Sequence, residues 1–273
     1  MIRLVALGSG SGGNAFAIDA EAGIVLVDAG FSAKEIHRRA ATVGLDLGRL
    51  ILIVLTHEHG DHASGARRLA RQYGVPVAAT EGTLRGARLQ ADAARIALRS
   101  ASIVEHGAVL LESCRTLHDA AEPTAVVVEV GEVRVGFGYD FGRPTVGLRH
   151  LLRDCDALVL ESNYDEVMLR TSEYPSSVQH RIAGSGGHLS NRAAAELIAG
   201  LCHEGLSMVM LAHLSRQCNR PDLAIAATET SLAPRGYRGL VVVAEQDRPV
   251  GPFVVKPSLA KYRASPQAEF EFS

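Results

Sequence analysis

Short apolar runs, broken by glycine and polar turns, set the pattern of this chain. Residues 2–7 predict a strand, and residues 15–19 and 23–27 predict a hairpin. The run Ile51-Leu-Ile-Val-Leu55 is continuous rather than alternating, so it predicts a strand buried on both faces. Ser32 caps a helix reaching about Val43, and another helix is expected from Ala63 to Tyr73. More strands are expected at 75–79, near 101–105, 108–111 and 113–117, as a hairpin at 124–130 and 132–138, and at 157–160, 208–212 and 240–244. The alanine- and arginine-rich stretch 81–99 reads as helical, as do Pro144 to Arg153, 165–171, 175–183, 190–204 and 221–233. Periodicity is lost from Lys256, so residues 1–255 are expected to form one domain and 256–273 a partly ordered tail.

Polar residues recur where apolar strands end: Asp28, His57, His118, Asp140, Glu161 and His213 each follow such a run. In a layered α/β fold, strand ends are where distant positions meet to form one site. The densest stretch is His57-Glu58-His59-Gly60-Asp61-His62. His57 and His59 are two apart, so an extended backbone points both to one side. Gly60 lets the chain turn into a helix whose first turn carries Asp61 and His62. Four potential ligands delivered as two pairs suit two adjacent metal ions. The stretch is not the helical HExxH pattern, so Glu58 receives no general-base role.

The glycine loop Gly8-Ser-Gly-Ser-Gly-Gly13-Asn14 contains a GxGxxG spacing, but a hairpin follows it where a nucleotide-binding loop needs a helix. It reads as a turn from which Ser11 and Asn14 can reach a neighbouring ligand. Asn163 after Glu161, and Arg216 and Asn219 after His213, are the other candidate substrate contacts. His37, His106, His150, His180 and His203 receive no role, and Arg67, Arg68 and Arg71 read as a solvated helix face.

Composition narrows the class. With 273 residues and 47% hydrophobic content, the chain can bury a sizeable core. A formal charge of −2 excludes binding of polyanions by the surface as a whole and leaves only a local patch for that purpose. Cys114, Cys155, Cys202 and Cys218 form no CxxC pair, which points to reduced thiols in a cytoplasmic protein rather than a disulfide framework or zinc knuckle. The first residues lack a signal-peptide pattern and no run is long enough for a membrane helix, so no membrane partner is expected.

These motifs together resemble the metallo-β-lactamase superfamily. His57-x-His59-x-Asp61-His62, then His118, Asp140 and His213, stand in that family's order. The YycJ/WalJ-like branch is resembled further in Leu7-Gly-Ser-Gly-Ser-Gly-Gly-Asn14, Asp28-Ala-Gly30, His118-Asp-Ala-x-x-Pro123, Leu160-Glu-Ser-Asn163, Tyr174-Pro175, Gly187-His-Leu-Ser-Asn191 and Ala212-His-Leu-Ser215. The resemblance runs to about Glu245. It implies an αββα four-layer sandwich with a dinuclear site at one edge. It also implies that His57, His59 and His118 bind one ion, Asp61, His62 and His213 a second, with Asp140 bridging. Imidazole and carboxylate donors without thiolate suit Zn²⁺ or Mn²⁺. Tyr139 and Phe141 around Asp140 depart from the more familiar Thr-Asp-Thr-Gly surroundings.

In ribonuclease Z-like members a similar glutamate pairs with a histidine, which implies that Glu161 and His188 protonate a leaving oxygen. Asp61 is a candidate to orient or deprotonate the attacking water. The branch implies a phosphodiesterase acting on nucleic acid, a DNA exonuclease. Two alternatives stand beside it. One is a hydrolase of a small phosphodiester, thioester or lactone on the same scaffold; the other is a non-catalytic metal-binding regulatory protein, whose mark would be lost ligands.

Overall fold

The computed structural model describes residues 1–89 and 94–258. The first sheet begins with β1 (Ile2–Gly8), β2 (Ala15–Ala20), β3 (Gly23–Val27), β4 (Leu50–Val54), β5 (Val77–Ala79) and β6 (Arg95–Ala97). The second holds β7 (Ile103–His106), β8 (Val109–Arg115), β9 (Thr124–Val130), β10 (Val133–Gly138), β11 (Ala157–Glu161), β12 (Met208–Ala212) and β13 (Leu240–Val243). Then β14 (Val250–Val255) returns to the first sheet beside β1. The strand orders are β14-β1-β2-β3-β4-β5-β6 and β13-β12-β11-β10-β9-β8-β7.

The continuous apolar runs are explained by burial on both faces. Leu52 and Val54 of β4 face the space between the sheets, while Ile53 and Leu55 face the helices outside. In β12, Met208 and Met210 turn inward, and Val209 and Leu211 turn outward. Phe16 packs in the inter-sheet layer with its ring 5.8 Å from Phe137 and 5.7 Å from Tyr139. Helices α1 (Ala33–Thr42), α2 (Gly60–Ala63), α3 (Ala66–Tyr73) and α4 (Glu81–Gly86) belong to the first half of the chain. Ile36 of α1 and Leu69 of α3 cover the outer face of the first sheet. The second half adds α5 (Val146–Leu151), α6 (Glu166–Arg170), α7 (Ser176–Ala183), α8 (Asn191–Leu201) and α9 (Pro221–Leu232). Leu148, Leu197 and Leu232, from α5, α8 and α9, cover the second sheet. The result is the four-layer αββα sandwich that the motifs imply.

Several local expectations are corrected. The helix expected from Ala63 to Tyr73 starts at Gly60 and breaks at Ser64–Gly65. A Cβ on Gly65 would sit 2.4 Å from the Phe31 carbonyl, so the chain turns where it presses on that loop. Within 81–99 helix ends at Gly86, and 95–97 pairs with β5 as an edge strand; residues 90–93 lie outside the described residues. The strands expected at 108–111 and 113–117 are one, Val109–Arg115. The sequence reading missed β14, and of the expected tail only 256–258 lie within the described residues.

Strands β3 and β4 run parallel, as do β10, β11 and β12. Their carboxyl ends meet at one edge of the sandwich, where the polar strand-end residues converge.

Candidate metal centre

Four loops at that edge carry the site. The loop after β4 supplies His57 and His59, and α2 supplies Asp61 and His62. The loops after β8, β10 and β12 bring His118, Asp140 and His213. Four sets of donors each lie within 4.8 Å of one another: His57, His59 and His118; Asp61, His62 and His213; His57, His62 and Asp140; and Asp140, Glu161, His188 and His213. The structure thus brings together all seven residues expected as ligands, with Asp140 against both groups.

Hydrogen bonds decide which ring atom each histidine presents. His62 Nδ1 lies 2.7 Å from Asp28 Oδ2, leaving Nε2 toward Asp140, 2.8 Å away. His57 Nδ1 lies 3.1 Å from the Thr56 hydroxyl, and His118 Nδ1 lies 3.1 Å from the Gly186 carbonyl. His213 Nδ1 lies 3.1 Å from Glu161 Oε1, so its Nε2 points toward Asp61. Such outward bonds fix imidazole orientation and tautomer around a cation.

The donor set fits a divalent cation. His213 Nε2 is buried without a hydrogen-bond partner. Asp140 Oδ1 is 2.9 Å from His213 Nδ1, an ion-pair distance, yet the angle gives it no hydrogen bond. The imidazole nitrogens of His57 (Nε2) and His59 (Nδ1) face each other at 3.1 Å. Buried unpaired polar atoms are costly, and a cation among them removes that cost.

Charges in the cluster are strongly shifted. Burial, with neighbouring imidazoles, holds the His57 pKa well below its ordinary value. Burial also disfavours charge on His62 and His213, but Asp28 and Asp140 outweigh it for His62, and Asp140 outweighs it for His213, so both are pushed well up. Burial raises Asp61 and Asp140, yet the histidines overcome it and both stay ionised far below the usual carboxylate range. Protons on His62 and His213 compete with a cation, so metal binding weakens as pH falls.

Asp28 is the brace of the cluster. It is fully buried and accepts from the Thr56 N–H, the Thr56 hydroxyl and the Tyr139 hydroxyl, each at 2.8 Å. Asp28→Asn puts a donor where only acceptors fit. The expected result is a metal affinity lower by roughly 10–100-fold, read by competition with a chromophoric chelator. Gly30 shows how tight the packing is: a Cβ there would lie 1.7 Å from the Asp61 carbonyl. Glu58 accepts from the Ala121 N–H at 2.7 Å and ties the His118 loop down.

On the far side of Asp140, Glu161 is fully buried, with Oε1 2.6 Å from His188 Nδ1. Burial opposes charge on His188, but Glu161 and Asp140 prevail and raise it to about 9. A cleft of about 280 Å³ opens between Ser11, Asp61, His118 and His188, and Arg181 and Asp119 also line it.

The other candidate contacts are placed differently. Asn14 is buried, its Nδ2 3.1 Å from His62 Nε2. Asn163 donates to the His213 carbonyl at 2.7 Å, and Asn219 donates to the Ser162 and Asn163 carbonyls. Both asparagines are buried braces behind His213, with no place at the cleft. Arg216 is paired with Asp247 at the surface. Sequence reasoning missed Thr56, Tyr139 and Arg181. Tyr139 adjoins Asp140 in sequence, but no pattern shows a hydroxyl reaching across to the other sheet.

The family model for the metallo-beta-lactamase superfamily matches residues 8–138. The chain is 31% identical over 236 residues to exodeoxyribonuclease YycJ of Bacillus anthracis, covering 85% of this chain and 89% of the relative. It is 30% identical over 233 residues to exodeoxyribonuclease WalJ of Streptococcus pneumoniae serotype 2, covering 83% and 87%. Among solved structures, the metallo-beta-lactamase fold protein YhfI of Bacillus subtilis superposes with a TM-score of 0.69 at 16% identity, over 91% of this chain and 98% of that one. The short form of human tRNase Z gives 0.63 at 16% identity, over 92% and 100%. These two likenesses concern the fold, whereas the curated relatives reach the level of sequence. The chain belongs to the metallo-beta-lactamase superfamily, in its YycJ/WalJ-like branch, and is a metal-dependent hydrolase.

Proposed function

We propose that this hydrolase is a phosphodiesterase of nucleic acid, a DNA exonuclease, working with two divalent ions, Zn²⁺ or Mn²⁺. The observation that carries the reading is the Glu161–His188 pair beside Asp140. A nucleotide's leaving oxygen is a poor leaving group and needs a proton donor. His188 is such a donor, with Nδ1 held by Glu161 and the opposite ring edge toward the cleft. DNA as the substrate draws on the curated relatives, both named as exodeoxyribonucleases.

In this reading His57, His59 and His118 would hold one ion and Asp61, His62 and His213 the other, with Asp140 within reach of both groups. Divalent cations bound there would lower the pKa of water and stabilise charge developing on a phosphoryl oxygen. Asp61, ionised and lining the cleft, is the group that orients the attacking water. Glu161 keeps His188 charged and aimed, and His188 protonates the departing oxygen. Ser11 also lines the cleft, where its hydroxyl can meet the substrate strand.

The small cleft favours one competing reading, hydrolysis of a small phosphodiester. The test is to assay metal-loaded protein on 5′-labelled duplex DNA, single-stranded DNA, RNA and a small phosphodiester. Stepwise shortening of DNA is expected. Cleavage of the small substrate alone overturns the nuclease reading, and activity untouched by chelation overturns the metal mechanism.

A further inference from the structure

We infer that Arg181 holds the phosphate next to the scissile one on the substrate strand; the inference rests on the phosphodiesterase reading above. A strand entering the cleft brings more than one negative charge. The ions proposed above would take up Asp61 and Asp140, which leaves the Asp119 carboxylate on the cleft wall to repel a second phosphate. Apart from histidines, Arg181 is the cationic side chain among the described residues that line the cleft.

Its guanidinium is unspent. Arg181 is exposed and makes no ion pair among the described residues. A planar guanidinium free of carboxylate matches a phosphate with two parallel hydrogen bonds.

Its backbone is also fixed, although α7 has no buried residue. The His188 N–H donates to the Ile182 carbonyl at 2.8 Å, and the Gly187 N–H donates to the Gly184 carbonyl at 3.0 Å. A Cβ on Gly187 would lie 2.2 Å from the carbonyls of both Arg181 and Ile182, so the turn closes without slack. One turn therefore positions His188 at the scissile phosphate and Arg181 beside it.

The test compares Arg181→Ala and Arg181→Lys with wild type on an oligonucleotide and on a dinucleoside monophosphate, which has no neighbouring phosphate. For Arg181→Ala, the ratio of kcat/KM for the oligonucleotide to that for the dinucleoside monophosphate is expected to fall roughly 10–100-fold, mostly through KM. Arg181→Lys, keeping the charge but not the fork, should recover part of the loss. Binding of a cleavage-resistant phosphorothioate strand, followed by anisotropy, should become less salt-dependent, with a slope shallower by about 0.7. An equal loss on both substrates would mean that Arg181 serves only the His188 turn, and no loss would mean that it touches no phosphate; either result overturns the inference. If wild type cleaves the small diester but no oligonucleotide, the nucleic-acid reading fails first and takes the inference with it.

Discussion

Replacing Asp140 with alanine is expected to lower kcat/KM on a phosphodiester by roughly a thousandfold or more. Its two oxygens serve different neighbours. Oδ2 lies 2.8 Å from His62 Nε2 and 3.5 Å from His57 Nε2, while Oδ1 lies 2.9 Å from His213 Nδ1 and 3.3 Å from His188 Nδ1. Alanine therefore removes the carboxylate within reach of both proposed ligand groups and leaves four imidazoles around the space it filled. A thousandfold in rate is ~4 kcal/mol, within what bound metal ions contribute to hydrolysis. Elemental analysis after purification is expected to show reduced metal alongside the lost activity. A fully metal-loaded variant with near-normal turnover would deny Asp140 its place between the ions.

Replacing His188 with alanine is expected to slow turnover by roughly 10²–10⁴-fold while metal content stays at the wild-type level. The choice of substrate separates its role from a structural one. A p-nitrophenyl ester departs without help from an acid, so the variant should lose far less on it than on a nucleotide ester. The pH profile is a second readout. A raised pKa means that His188 holds its proton below about 9 and loses it above, so wild-type activity through this donor declines on the alkaline side. Nearby cations pull that value lower. The variant should lack this alkaline limb. Lost metal in the purified variant would instead make His188 a ligand.

The part of the site that lies directly after apolar strands was legible in the sequence, because strand ends in a layered fold have one destination. His57, Asp140, Glu161 and His213 all follow such runs and all meet. What escaped were features set by tertiary pairing. The stretch 81–99 has the composition of a helix, yet Arg95–Ala97 is taken as an edge by β5. In Val250–Val255 the Gly251-Pro252 pair argues against a strand, but an edge strand pairs on one side only and tolerates a missing N–H. Asn163 and Asn219 stand next to chemically important residues in sequence, which made them candidates for substrate contact. Burial turned them into braces, and adjacency along the chain does not reveal burial.

Asp28, Asp140 and His213 share one further property: each has a left-handed backbone, with φ of 56°, 57° and 55°. An L-residue adopts that conformation at a cost of roughly 1–2 kcal/mol. Here each bends the chain sharply at the end of a parallel strand and throws its side chain into the centre. A free chain seldom visits three such bends together, so they persist because the docked sheets hold them. The geometry of the centre is therefore a property of the docked sheets rather than of any one loop. Anything that parts the two sheets is expected to scatter the donors together rather than one by one.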